Sequence, residues 1–241
     1  WVLGVDWAQK HMTTWQELLT DSNKKPAELL DQAKGLARPS ESEKLEIKAL
    51  LRDQVGSLFD VPEGLAEKLL KEWKATRGYS FETLVFKVLA LEGLDPTPPF
   101  YAHMSYDDGE SEPKVPKRGR RPGGEQIDGS FLLNGRHFLI EAKWTPKIAA
   151  SDMYAFRGRV DGKLTGTVGV MVSAEGYVED AQYALLWGKE LNVLLVDGGD
   201  IKCALDPLGS FHETMRFPIR EAPRLGRPYY SYLQYLDEQG A

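Results

Sequence analysis

Between residues 126 and 144 the chain carries Asp128, Glu141 and Lys143 in two short runs joined by Asn134-Gly135. Both runs, Gln126–Leu133 and Arg136–Trp144, alternate apolar and polar residues, the period-2 pattern of half-buried strands. Asn-Gly between such runs predicts a two-residue type I′ hairpin, because both residues tolerate positive φ. Leu133 then faces Arg136, and counting outward from the turn puts Asp128 opposite Glu141 and Gln126 opposite Lys143. Those four side chains share one face, while Ile127, Phe131, Leu133, Phe138, Ile140 and Trp144 share the other, which suits burial. Carboxylates directly across a strand pair have Cβ atoms about 5 Å apart and repel, so they need a positive charge. Lys143 supplies part of it, and a divalent cation would supply the rest. Mg²⁺ prefers oxygen ligands, commonly one or two carboxylates with waters and substrate phosphate. Such a metal could stabilise a phosphoryl oxygen and acidify a bound water. Lys143 could orient that water or neutralise developing charge. The same residues also fit a solvent-facing hairpin whose Asp, Glu and Lys pair as surface ions.

The flanking elements must position this hairpin. Residues 1–77 read as helical, over Pro26–Ala37, Ser40–Val55 and Pro62–Ala75, each with Pro or Ser at its start. Leu45, Ala49 and Arg52 with Leu50 and Leu51 suggest one amphipathic face, and Leu65, Leu69, Leu70 and Trp73 another. A further helix is predicted from Ser80 as N-cap, with Phe81, Leu84, Val85, Val88 and Leu89 at the helical interval. Residues 95–124, rich in Pro, Gly and charge, predict a long irregular loop. Beyond the hairpin, Thr167–Ser173 reads as a strand, Val178–Lys189 as a helix, Asn192–Asp197 as a strand and Gly198-Gly199-Asp200 as a turn. The order helix, hairpin, crossover, strand, helix, strand describes an α/β domain with a small mixed sheet.

The bulk numbers narrow the class. A hydrophobic fraction of 42% with both charge signs fits an ordinary globular protein. A net charge of −6 opposes a surface coated in positive potential, so nucleic-acid binding would need a local patch. Lys114-Val115-Pro116-Lys117-Arg118-Gly119-Arg120-Arg121 is one candidate patch, or else a solvated loop. No apolar run approaches the roughly 20 residues of a membrane helix. The single Cys203 and the absence of a signal-peptide pattern lead to the expectation of a cytoplasmic location. The start at Trp1 rather than Met leads to the expectation that residues precede it. His11, His103, His137 and His212 show no metal-ligand spacing. Tyr229, Tyr230, Tyr232 and Tyr235 could stack on bases or, more commonly, cover a core or an interface.

Ile127-Asp128-Gly129 followed by Phe138-Leu139-Ile140-Glu141-Ala142-Lys143-Trp144 resembles the PD-(D/E)-x-K nuclease motif. The resemblance extends to Gly78-Tyr79-Ser80-Phe81-Glu82, to Val168–Ser173, to Ala181 and to Val193–Asp197, about half the chain. It is to the restriction endonuclease-like superfamily, most to its Mrr-type branch. Ile stands where the motif has its Pro, and Glu141 where that branch often has Gln. The resemblance implies a restriction endonuclease-like core, a mixed central sheet flanked by helices, over 78–205. A helical N-terminal subdomain over 1–77, for assembly or regulation, would precede it, and a C-terminal extension over 206–241 would follow. It implies that Asp128, Glu141 and the Ala142 carbonyl bind metal, that Lys143 is the catalytic lysine, and that Glu82 is an outer acidic residue. Glu82 also fits a helix N-terminal Glu favoured by the macrodipole.

The expected activity is Mg²⁺-dependent hydrolysis of DNA phosphodiester bonds, with Mn²⁺ able to substitute, in defence against phage or plasmid DNA. A homo-oligomer and a regulatory partner or domain are expected, with full activity withheld from an isolated monomer. The alternatives are a repair or recombination nuclease of the same fold and a catalytically silent scaffold. The combination of Asp128, Glu141 and Lys143 argues against the scaffold, which has no need of paired carboxylates.

Overall fold

Val168–Ser173 and Val193–Asp197 are apolar almost throughout, the composition of strands buried on both faces. In the computed structural model, which describes residues 14–21, 24–60, 67–102, 125–186 and 190–239, they are parallel neighbours in a four-stranded mixed sheet. That sheet runs in the order β3-β4-β5-β6, with β3 (Gly129–Leu133), β4 (Arg136–Lys143), β5 (Val168–Ser173) and β6 (Val193–Asp197). The β3–β4 hairpin is antiparallel and turns on Asn134 and Gly135 at φ of 51° and 74°, the left-handed pair that Asn-Gly favours. Both crossovers from β4 to β5 and from β5 to β6 carry helices, α5 (Ala150–Asp161) and α6 (Glu179–Tyr183). The chain is therefore an α/β protein.

Alternation along the strands gives each face its own core. Phe138, Ile140, Val170, Val172, Leu194 and Val196 point into the larger cluster, against Phe81, Val85 and Phe86 of α4 (Glu67–Leu91). Helices α1 (Trp15–Thr20), α2 (Pro26–Ala33), α3 (Glu41–Phe59), α7 (Gly198–Ala204) and α8 (Phe211–Leu225) bury residues in that same cluster. Leu139, Met171, Val193 and Leu195 point the other way, against Met153, Phe156 and Val160 of α5 and Ala181 of α6. Each fully buried side chain of this size contributes roughly 1.5–3 kcal/mol. A two-stranded antiparallel pair, β1 (Phe100–Ala102) with β2 (Glu125–Ile127), and α9 (Tyr232–Gln239) complete the described elements.

Several elements differ from their sequence expectations. Ser80 does not begin a helix: α4 runs unbroken from Glu67 to Leu91, with Gly78 and Ser80 inside it. An interior glycine costs about 1 kcal/mol, less than the burial of Phe81, Leu84, Val85, Phe86 and Leu89 recovers. In α3, where Ser40 and Glu43 form a capping box, the buried face is Ile47, Leu51 and Val55, and Leu45 is exposed. Leu69 is likewise exposed. Gly198-Gly199-Asp200 starts α7 rather than a turn, because Asp197 caps it and accepts the Asp200 N–H at 2.9 Å. The segment expected as helix over 178–189 is helical only over Glu179–Tyr183, with 187–189 outside the described residues.

Candidate active site

The strand expected over 126–133 breaks at Asp128, and the break makes the site. Gly129 continues the hairpin in the predicted register, opposite Ile140, but β2 leaves β4 and pairs with β1, Gln126 facing Tyr101. Gln126 therefore does not face Lys143. Asp128 stands between the two strands instead of in a ladder pair with Glu141. Packing is close beside the break, at Gly129: a Cβ there would meet the Thr97 carbonyl at 2.4 Å and the Phe86 ring at 2.5 Å, so the position takes glycine. The break also turns Ile127 to the α5 face, away from the cluster that holds Phe131 and Leu133.

Asp128, half-buried, accepts a hydrogen bond from the Ala142 N–H at 3.1 Å. Burial first, then the charge of Glu141, raises its carboxyl to about 6, while the Ala142 hydrogen bond and the Arg159 and Lys143 charges pull it down. Glu82 reaches the same place from the middle of α4, where burial and the Asp128 charge raise it to about 7. Its position well inside α4 removes the alternative of a helix N-terminal Glu held by the macrodipole. Glu141 is buried on β4, and its two oxygens face two cations. Lys143 Nζ lies 3.2 Å from one, and the Arg159 guanidinium pairs with the other.

Two residues of α5 complete the arrangement. Asp152 accepts a hydrogen bond from Lys143 Nζ at 2.7 Å through one oxygen and from the Ala149 N–H at 3.3 Å through the other. Burial would lower the Lys143 ammonium, but Asp152 and Glu141 more than offset this and hold it above the ordinary lysine value. The hydrogen bond from Lys143 in turn lowers Asp152. Arg159 joins Glu141 and also donates to the Gln126 carbonyl at 3.3 Å. Sequence reading missed both, since 150–161 read only as a crossover. Met153, Phe156 and Val160 at helical spacing, with Asp152 and Arg159 seven apart on one face, were the available signal.

The structure thus brings Glu82, Asp128, Glu141 and Lys143 together, and Ala142 touches the site through its N–H. Among the described residues no three His, Cys, Asp or Glu side chains form a group that could hold a metal. Glu82 and Asp128 are nevertheless oxygen donors, the Asp128 charge raising the proton affinity of Glu82, and Mg²⁺ commonly takes one or two carboxylates with waters. That pair fits a hard divalent cation. Glu141 as found is committed to Arg159 and Lys143.

The other candidates are accounted for separately. The basic run 114–121, His11 and His103 lie outside the described residues. His212 lies 3.6 Å from Glu92, and His137 is exposed on β4 opposite Leu132. The tyrosines cover structure: Tyr229 packs on Tyr177 and bonds Asp197, Tyr230 bonds Glu238, and Tyr235 lies 4.1 Å from the Phe217 ring. No helix among the described residues is long and apolar enough to cross a membrane.

No protein-family model matches the sequence, and no curated protein matches it. Among solved structures, the crystal structure of protein VC1899 from Vibrio cholerae is similar at a TM-score of 0.39 and 17% identity. The alignment covers 89% of this chain, which spans 54% of that protein's length.

Proposed function

We propose that this chain is a Mg²⁺-dependent DNA endonuclease built on a restriction endonuclease-like core. The observation that carries the reading is the meeting of Glu82 and Asp128 beside Glu141 and the doubly anchored Lys143, from elements distant in sequence. Glu82 and Asp128 would hold the metal, with Glu141 and the Ala142 carbonyl as the further ligands that the motif resemblance implies. When bound, Mg²⁺ supplies charge stabilisation at a phosphoryl oxygen and a water of lowered pKa. Lys143 stays charged, so its role is to donate hydrogen bonds to the attacking water or to the phosphate, not to act as a base. Asp152 fixes the direction of that ammonium. In-line displacement by water follows, with the Lys143 charge next to the oxygen that gains negative charge.

The biological role we assign is defence against phage or plasmid DNA. One such site cuts one strand, so cutting a duplex takes two copies, and a partner or further domain holds activity in check. The test is nicking of supercoiled plasmid with Mg²⁺ or Mn²⁺ by the native chain, Asp128→Ala and Lys143→Ala, with EDTA as control. Metal-dependent nicking lost in both variants is the expected result. Equal nicking by all three would sink the assignment.

A further inference from the structure

The charged side chains around Asp128 are out of balance. Glu82, Asp128, Glu141 and Asp152 contribute four carboxylates, and Lys143 and Arg159 two cations. The cations are unevenly placed. Both lie on the Glu141 oxygens, and Lys143 is also held by Asp152, whereas the charge that acts on Glu82 is the negative one of Asp128. A divalent cation would balance the whole set, but a third carboxylate ligand from Glu141 requires that one of its partners withdraw. Lys143 has a second anchor in Asp152 at 2.7 Å and stays fixed if Glu141 turns. Among the described residues Arg159 has only the Gln126 carbonyl besides, at 3.3 Å, and its side chain retains 22% exposure in the last turn of α5. It is the partner free to leave.

We propose that Arg159 competes with the divalent cation for Glu141, so that the strength of metal binding is set by how readily this guanidinium lets go. The inference rests on the proposed metal site. A guanidinium released toward solvent at this position is a bidentate donor suited to a phosphodiester. Cation and nucleic acid then assist one another: the metal displaces Arg159, and the backbone phosphate receives it. Reciprocal linkage requires that each strengthen the other's binding by the same factor.

The test is titration of Mn²⁺ by calorimetry into the full chain and into Arg159→Gln, with thermal melts alongside. Removing the competitor is expected to tighten Mn²⁺ binding about tenfold, a coupling of about 1.4 kcal/mol. Arg159→Gln is expected to melt lower in EDTA, because a buried Glu141 has lost a partner, and to gain more than the native chain when Mn²⁺ is added. Unchanged or weaker Mn²⁺ binding by Arg159→Gln would overturn the competition and leave the metal site standing. Absence of Mn²⁺ binding by both chains would overturn the metal site and the competition with it. The native chain gives an independent readout: the Arg159 Nε–H resonance is expected to shift on Mg²⁺ titration while Glu141 changes partner. A resonance that stays fixed at saturating Mg²⁺ also overturns the competition.

Discussion

Two places in this molecule hold a carboxyl that burial and a neighbouring carboxylate push up, and they are built on opposite plans. At the end of β6, burial and the Asp197 charge raise Asp200 to about 7. Both aspartates there are satisfied on both oxygens. Asp197 accepts from the Asp200 N–H and the Tyr229 hydroxyl, and Asp200 from the N–H groups of Asp197 and Tyr232, at 3.1 and 2.7 Å. Helix cap, strand end and C-terminal segment are tied together by these bonds. At Asp128 one backbone N–H is all the fixed donation among the described residues, and Glu82 brings a second negative charge rather than a donor. A raised carboxyl therefore marks a site only where the donors are missing. Where backbone donors close around it, the shift is the by-product of a structural lock.

The comparison can be broken most forcefully at Asp128. Asp128→Asn keeps an oxygen for the Ala142 N–H but removes the charge, and metal-dependent nicking is expected to fall at least about 100-fold. Its melting temperature in EDTA at neutral pH is expected to rise, because the repulsion with Glu82 and Glu141 is gone. An active Asp128→Asn would place the metal elsewhere.

At the other carboxylate pair the effects should be purely structural. Asp200→Ala strands two buried N–H groups, each worth about 1–3 kcal/mol, so urea denaturation is expected to show a loss of about 2–4 kcal/mol. Mn²⁺ affinity of the folded variant is expected to be unchanged, and a weakened affinity would mean that the two regions are coupled.

A smaller effect is expected at Asp152, which acts through Lys143. Asp152→Asn is expected to lower kcat about tenfold with KM nearly unchanged. Because Asp152 supports the Lys143 charge, the alkaline limb of the rate profile is expected to move to lower pH. A profile that keeps its shape would reduce Asp152 to a cap for α5.

The gentlest probe is pH. Glu82 and Asp128 have folded values of about 7 and 6, above their ordinary 4.5 and 3.8, so the folded state binds more protons than the unfolded state in between. Their contribution to stability is complete below the ordinary values and is lost as pH rises through 6 and 7. Melting temperature in EDTA is expected to decline by a few degrees across that window, and the increment from Mn²⁺ is expected to grow over the same range. A pH-independent increment would show that these two carboxylates do not hold the cation.

The hairpin turn was legible because Asn134 and Gly135 carry their reason in their own backbones, a tolerance for positive φ that no neighbour alters. Register followed from the turn, and the two parallel strands from their unbroken apolar runs. The resemblance to the PD-(D/E)-x-K motif singled out Asp128, Glu141, Lys143 and Glu82 by residue type. What local pattern misjudged was always a matter of what lies across space. Ser80 looks like an N-cap, yet α4 continues through it because the residues after it are buried against the sheet. The strand through Asp128 looks continuous, yet it breaks there and β2 pairs with β1, a partner far away in sequence.

Short-range chemistry in the chain was enough to specify the turn and the order of the strands along the backbone, since each rests on dihedral preference or residue type. Which charges meet was decided only by tertiary packing. α5 lies against the face that carries Glu141 and so brings in Asp152 and Arg159, and α4 crosses the other face and delivers Glu82 to Asp128. Electrostatic pairing depends on distance through space, and a linear sequence does not contain that distance until the two cores have closed on either side of the sheet.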